Sequence, residues 1–170
     1  MSPGVVLGRP PGDADAVLHP YGGRLRGGSQ TAQTGTAPSA SAHPNAQRIR
    51  DAYDAFSQGD LGPLDDLLAE DVEWHEAGRN QLSGVHRGRD GVRRVVPRLG
   101  ELTEGTLRID VRTVLADDTH GVVVLRASAR RGDRSFDDVL EMHVHRFADG
   151  RVTEWHQAFE DQYAVDAVLG

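Results

Sequence analysis

Apolar residues along the second three-quarters of the chain follow two periods in turn, first helical and then alternating. Ile49, Tyr53 and Phe56 recur at helical spacing behind Pro44, a residue that a first helical turn tolerates. Gly59 stops that helix and Asp60 can cap a second, whose stripe is Leu64, Leu67 and Leu68. A short strand is predicted at Val72-Glu73-Trp74-His75, then a loop. Asp90 is placed to cap a third helix with Val92, Val95, Val96 and Leu99 inward. Pro97 lies inside that helix and is expected to kink it or end it early. From Leu107 the period falls to two, with Leu107, Ile109 and Val111 alternating with Arg108, Asp110 and Arg112. Turns at Asp117-Asp118, Arg131-Gly132-Asp133 and Asp149-Gly150 separate strands near 121–129, 136–147 and 151–159. Asp149-Gly150 is the strongest of these signals, because a two-residue hairpin wants positive φ at both central positions. A short helix is predicted near 163–169. Three helices followed by a meander imply an α+β fold, a cone-shaped curved antiparallel sheet packed on the three N-terminal helices. A cone closes at one end and leaves a cavity at the other.

Residues 1–43 differ in texture. Gly, Pro, Ser, Thr, Ala and Gln dominate, and Val17 and Leu18 are too few to seed a core, so a disordered tail is expected ahead of one domain over 44–170. The 170 residues include no cysteine, which excludes disulfides, thiolate metal sites and a thiol nucleophile. All 19 basic residues are arginine, so lysine Schiff-base chemistry is excluded too. A net charge of −7 argues against nucleic acid as a partner. No apolar run is long enough to span a membrane, and the first ten residues carry no basic leader. A cytoplasmic location is the expectation.

Three segments carry a resemblance. Val72-Glu73-Trp74-His75, then Leu82-x-Gly84-x-His86-Arg87-Gly88-Arg89-Asp90-Gly91-Val92, then Val144-His145-Arg146-Phe147-x-Asp149-Gly150-Arg151-Val152-Thr153-Glu154-Trp155 occur in order. With the ending Glu160-Asp161-Gln162-Tyr163-Ala164-Val165-Asp166, they resemble the SnoaL-like branch of the nuclear transport factor 2-like superfamily. That superfamily also holds ketosteroid isomerases, polyketide cyclases, scytalone dehydratase and limonene epoxide hydrolase. The resemblance implies a cystatin-like roll, a pocket for a small hydrophobic molecule, no cofactor, and a homodimer. It also has gaps. Arg126 matches the arginine of the epoxide hydrolases, but Ser128 and Gln157 stand where they carry aspartates, so that activity is rejected. The aspartate that cyclases carry just after the tryptophan of the last strand is absent, since His156 and Gln157 follow Trp155.

On the fourth strand one face is Val139, Glu141, His143 and His145, and the other is Leu140, Met142 and Val144. Composition alone would turn the apolar set inward. The resemblance turns Glu141 and His143 into the pocket and leaves the apolar set to a dimer contact, and that orientation is adopted. It names Glu141, His143 and His75 as candidate catalytic residues, with Trp74, Arg126, Trp155 and Gln157 as candidate substrate contacts. Histidine carries protons near neutral pH, and a neighbouring carboxylate fixes its tautomer. Arg126 would hold an enolate or carboxylate and Trp155 a flat ring. This fits proton transfer, elimination or cyclisation on an enolisable substrate.

Plainer readings stay open. Glu141 and Arg126 can form a buried structural ion pair, Trp74 and Trp155 can be core, and His75 can be an ordinary strand histidine. His143-x-His145 with Glu141 has the strand spacing of a metal site, although no metal is assigned. The competing whole-protein reading is a non-catalytic ligand-binding module or dimeric scaffold on the same fold.

Overall fold

The computed structural model describes residues 43–170. The expected tail falls outside these, except His43, whose Nδ1 accepts a hydrogen bond from Asn45 N and so caps the first helix. Helix α1 spans Pro44–Ser57 and buries Ile49, Ala52 and Tyr53. Helix α2 is a short Gly62–Leu67, entered through the Asp60 carboxylate, which accepts from Gly62 N at 2.9 Å. Leu68, expected to end α2, instead opens strand β1, Leu68–Glu76. The stretch expected to be a loop holds a second strand, β2, Gly84–Arg87, antiparallel to β1. Helix α3, Gly88–Leu102, runs through Pro97 rather than stopping there, with Val92, Val95 and Leu102 buried. Packing of its apolar face outweighs the hydrogen bond that a proline forfeits.

The meander follows as β3 (Arg108–Ala116), β4 (His120–Arg131), β5 (Arg134–Ala148) and β6 (Arg151–Phe159), closed by α4 (Gln162–Leu169). Asp149 and Gly150 take φ of 49° and 71°, as their hairpin requires. The order across the sheet is β2-β1-β6-β5-β4-β3. The sheet is curved and unclosed, and the helices complete a mixed α+β architecture. One pairing departs from the antiparallel expectation: β1 lies parallel to β6, with Trp74 opposite Trp155 and His75 opposite His156.

Two irregularities aim the inner wall. The β4–β5 register shifts between Ala127 and Ala129, beside Asp138 with its φ of 49°, so both Phe136 and Val139 point inward. A second shift, between Arg146 and Phe147, leaves Val152 and Trp155 both buried although they are three residues apart. Such bulges bend a strand and re-aim its side chains. The inner wall packs against Ile49, Ala52, Val92, Val95, Val165 and Val168 of the helices. Met142 and Val144 on the outer face are 41% and 42% exposed.

Candidate active site

A cavity of about 70 Å³ opens between the inner wall of the sheet and helices α1, α3 and α4. Its lining is mostly apolar, including Phe56, Leu64, Leu99, Phe136 and Phe159. The polar exceptions are Tyr53, Trp74, Glu76, Glu141, His143, Trp155 and Gln157. Six of these belong to one cluster, because β5 and β6 pair His143 with Gln157 while β6 sets Trp155 beside Trp74.

Hydrogen bonding orders the cluster. The indole Nε1 of Trp74 can only donate, and it donates to Gln157 Oε1. That fixes the Gln157 amide, whose Nε2 donates to Glu141 Oε1 at 2.7 Å. The same carboxylate oxygen lies 2.5 Å from His143 Nε2. With Glu141 ionised, His143 carries its proton on Nε2 and turns Nδ1 to the hydroxyl of Tyr53, which donates to it. The chain Tyr53–His143–Glu141–Gln157–Trp74 is thus continuous, and Glu141 and His143 are 4% and 3% exposed. Glu141 Oε2 takes no hydrogen bond from the described residues.

Burial, and then the charge of Glu141, push the Tyr53 hydroxyl well above its ordinary range, so it stays a phenol and a donor. Glu76 is pushed up to about 8, first by burial and then by Glu141 and Asp166, which leaves it largely protonated at neutral pH. His145, deeper on the same strand, is pushed down to about 3 by burial and by His143. Neither of its ring nitrogens has a partner among the described residues, and its ring stands edge-on to Trp155 at 4.9 Å. A histidine held neutral this firmly is core, not proton carrier.

The structure brings Glu141, His143, Trp74, Trp155 and Gln157 together at the cavity and leaves two expected residues outside it. His75 lies on the outer face of β1, stacked on His156 at 4.2 Å and 3.5 Å from Glu73, because Val72, Trp74 and Glu76 take the inward positions. Arg126 also faces outward, since Leu125 and Ala127 occupy the inward positions of β4. Its guanidinium donates to the Asp138 carbonyl at 2.8 Å and lies 3.4 Å from Glu160, so neither enolate binding nor an ion pair with Glu141 is open to it. No three His, Asp or Glu side chains among the described residues are arranged to hold a metal ion, Glu141, His143 and His145 included.

Two site residues were not anticipated. The helical spacing of Tyr53 marks it as helix core, and nothing in the sequence shows that it meets a residue 90 positions away. Glu76 was within reach: extending the β1 alternation by one step from Val72 and Trp74 places it on the inner face.

Comparison with known proteins agrees with this architecture. Residues 49–155 match the model of the SnoaL-like domain. Uncharacterized protein Rv0034 of Mycobacterium tuberculosis is 30% identical over 120 residues, covering 70% of this chain and 91% of the relative. Bal32a, from a soil-derived mobile gene cassette, superposes with a TM-score of 0.69 at 35% identity, over 74% of this chain and 96% of its own. A protein of unknown function with a cystatin-like fold from Xanthomonas campestris superposes with a TM-score of 0.68 at 25% identity, over 74% and 98%.

Proposed function

The chain belongs to the SnoaL-like domain family, and from that premise we propose that its cavity binds a small hydrophobic, enolisable molecule and catalyses proton transfer on it without a cofactor. The activity is that of an isomerase, lyase or cyclase. The observation that carries this reading is the Tyr53–His143–Glu141 chain, a buried run of phenol, imidazole and carboxylate in a cavity lined mostly by apolar side chains.

Glu141 Oε2, which takes no hydrogen bond from the described residues, takes the proton from the carbon beside the substrate carbonyl. The C–H electron pair moves into the enolate, and the carboxylic acid returns the proton at a second carbon or releases a leaving group. His143 and Gln157 fix the other carboxylate oxygen, which keeps Oε2 aimed. The neutral Tyr53 hydroxyl has a single proton, which it turns from His143 Nδ1 to the enolate oxygen, a role that needs a phenol rather than a phenolate. No arginine among the described residues lines the cavity, so none of them backs this donor with a cation. At about 70 Å³ the cavity suits a compact substrate.

The test is deuterium exchange. Small cyclic ketones and β-diketones are incubated with the protein in D2O, and loss of the α-proton signal is followed by NMR. Exchange above the buffer rate, reduced at least ~100-fold in Glu141→Gln and in Tyr53→Phe, is expected. Exchange that is unchanged in Glu141→Gln overturns the reading.

The alternative is a non-catalytic ligand-binding or dimeric scaffold module, favoured by one observation. The outer face of the sheet exposes Met142 and Val144 beside Leu140, Val122 and Val124, an apolar patch that a second copy of the chain would cover. We place a homodimer contact there under either reading, and the protein in the cytoplasm. No helix among the described residues is long and apolar enough to cross a membrane.

A further inference from the structure

Glu76 is 7% exposed and lines the cavity, yet no hydrogen bond or ion pair from the described residues reaches its carboxyl group. The two other carboxylates near it each accept hydrogen bonds, Glu141 through Oε1 only. Glu141 receives His143 and Gln157, and Asp166 on α4 accepts from Arg79 N, Asn80 Nδ2 and Gln162 Nε2. The Glu76 carboxyl oxygens are not among the fully enclosed side-chain atoms without a partner, which among the described residues belong to His145 and Trp155, and Glu76 lines the cavity. This acceptor is therefore open to something that enters the cavity.

The surroundings decide what that is. Among the described residues the wall contains two carboxyl groups and no arginine, and the chain has no lysine. Beyond Glu76 the field is set by Glu141 on β5 and Asp166 on α4, both acidic. An anionic group placed at Glu76 would be repelled by Glu141 and Asp166. A hydroxyl would fill one hydrogen bond and leave the field uncompensated. An ammonium answers both needs, because it donates up to three hydrogen bonds and carries the missing charge. We infer that the ligand of this protein is a small primary amine whose ammonium group seats against Glu76, with its apolar body among Tyr53, Phe136 and Trp155.

The inference rests on the cavity being a ligand site and requires no catalysis. Glu76 gives up its proton when it receives the cation, so binding is coupled to proton release. The groups facing Glu76 that could also exchange a proton are Glu141, His143 and Asp166.

Three probes of one shape separate the cases in isothermal titration calorimetry on the full chain: benzylamine, benzyl alcohol and benzoate. At pH 8 benzylamine is expected to bind at least tenfold more tightly than benzyl alcohol, and benzoate not to bind. From pH 6 to pH 7 the benzylamine affinity rises ~tenfold per pH unit, with close to one proton released. The proton is counted from the change in measured heat between buffers of different ionisation enthalpy. Glu76→Gln brings benzylamine down to the level of benzyl alcohol while leaving the alcohol bound, which also reports that the variant is folded. Equal binding of amine and alcohol at pH 8, or undiminished amine binding in Glu76→Gln, overturns the inference. Should the variant not fold, the wild-type proton count decides: no proton released on binding overturns it. Lost deuterium exchange with the amine preference intact removes only the proton-transfer reading, and the converse removes only this one.

Discussion

Trp74 and Trp155 occupy matched positions on the parallel strands β1 and β6, and their rings stack 4.9 Å apart at 18°. The stack joins the only parallel pair among the described strands and forms one wall of the cavity. Both indoles are nearly buried, yet they differ in chemistry. Trp74 donates to Gln157, whereas Trp155 Nε1 has no partner among the described residues.

Removing the stack is therefore expected to cost more than lost area alone. Trp74→Ala opens a cavity and frees Gln157, and should destabilise the domain by about 3–5 kcal/mol in urea unfolding. Trp74→Phe keeps an aromatic face but drops the donor, and about 1–3 kcal/mol is expected. A loss below ~1 kcal/mol for the alanine variant would mean that this pair is not part of the core.

Stability against pH should form a plateau with two sloping sides, each set by one buried group. Glu76 has its folded value raised to about 8 from 4.5, so the folded state holds the extra proton and stability declines as pH climbs through that interval. His145 has its folded value lowered to about 3 from 6.5, so the unfolded state holds the extra proton and stability declines as pH falls through that interval. The two slopes offset each other where the intervals overlap. Glu76→Gln should flatten the alkaline side and extend the acid slope up to about pH 6.5, and His145→Gln should flatten the acid side and extend the alkaline slope down to about pH 4.5, as read from denaturant midpoints across pH.

Gly121 allows α1 to approach the sheet. A Cβ there would lie 2.8 Å from Ile49 Cδ1 and 3.0 Å from Phe147 Cε2. Gly121→Ala is expected to lose about 1–3 kcal/mol through overpacking. Ile49→Val removes the clashing methyl, so the double variant should be more stable than the sum of the two single changes predicts. Strict additivity would show that the contact is relaxed elsewhere.

The outer face gives a prediction about assembly. Val144→Arg puts a charge in the middle of the exposed apolar patch, where Val144 stands opposite Val122 and His156. Sedimentation should show a dimer for the wild type and a monomer for the variant, with little change in melting temperature. A wild-type monomer at tens of micromolar protein removes the homodimer.

How far the site could be read in advance differs strand by strand. On β4 the polar residues Arg126 and Ser128 share one parity and Leu125 and Ala127 the other, and the structure follows that alternation outward for the polar pair. Placing Arg126 in the pocket by family likeness set the pattern of its own strand aside. On β5 the same rule fails, because the inward parity carries Glu141, His143 and His145 while Met142 and Val144 face out. A buried polar face is tolerable only when its groups satisfy one another. For Glu141 and His143 that condition is met by Gln157 from β6 and Tyr53 from α1, neither of which a strand-by-strand reading can supply, whereas His145 stays neutral and without a partner among the described residues. His75 illustrates a third case: it alternates with Trp74, so only one of the two can face inward, and the larger apolar ring takes the buried side.

Local chemistry along the chain set the helices, the meander and the turn at Asp149-Gly150, because period, capping and φ preference act over a few residues. Three things were decided only by tertiary packing: the strand at Gly84–Arg87, the parallel union of β1 with β6, and the meeting of Tyr53 with His143 across 90 residues. Each depends on which distant surface arrives to share a hydrogen bond or exclude water, and no short window of sequence contains that surface.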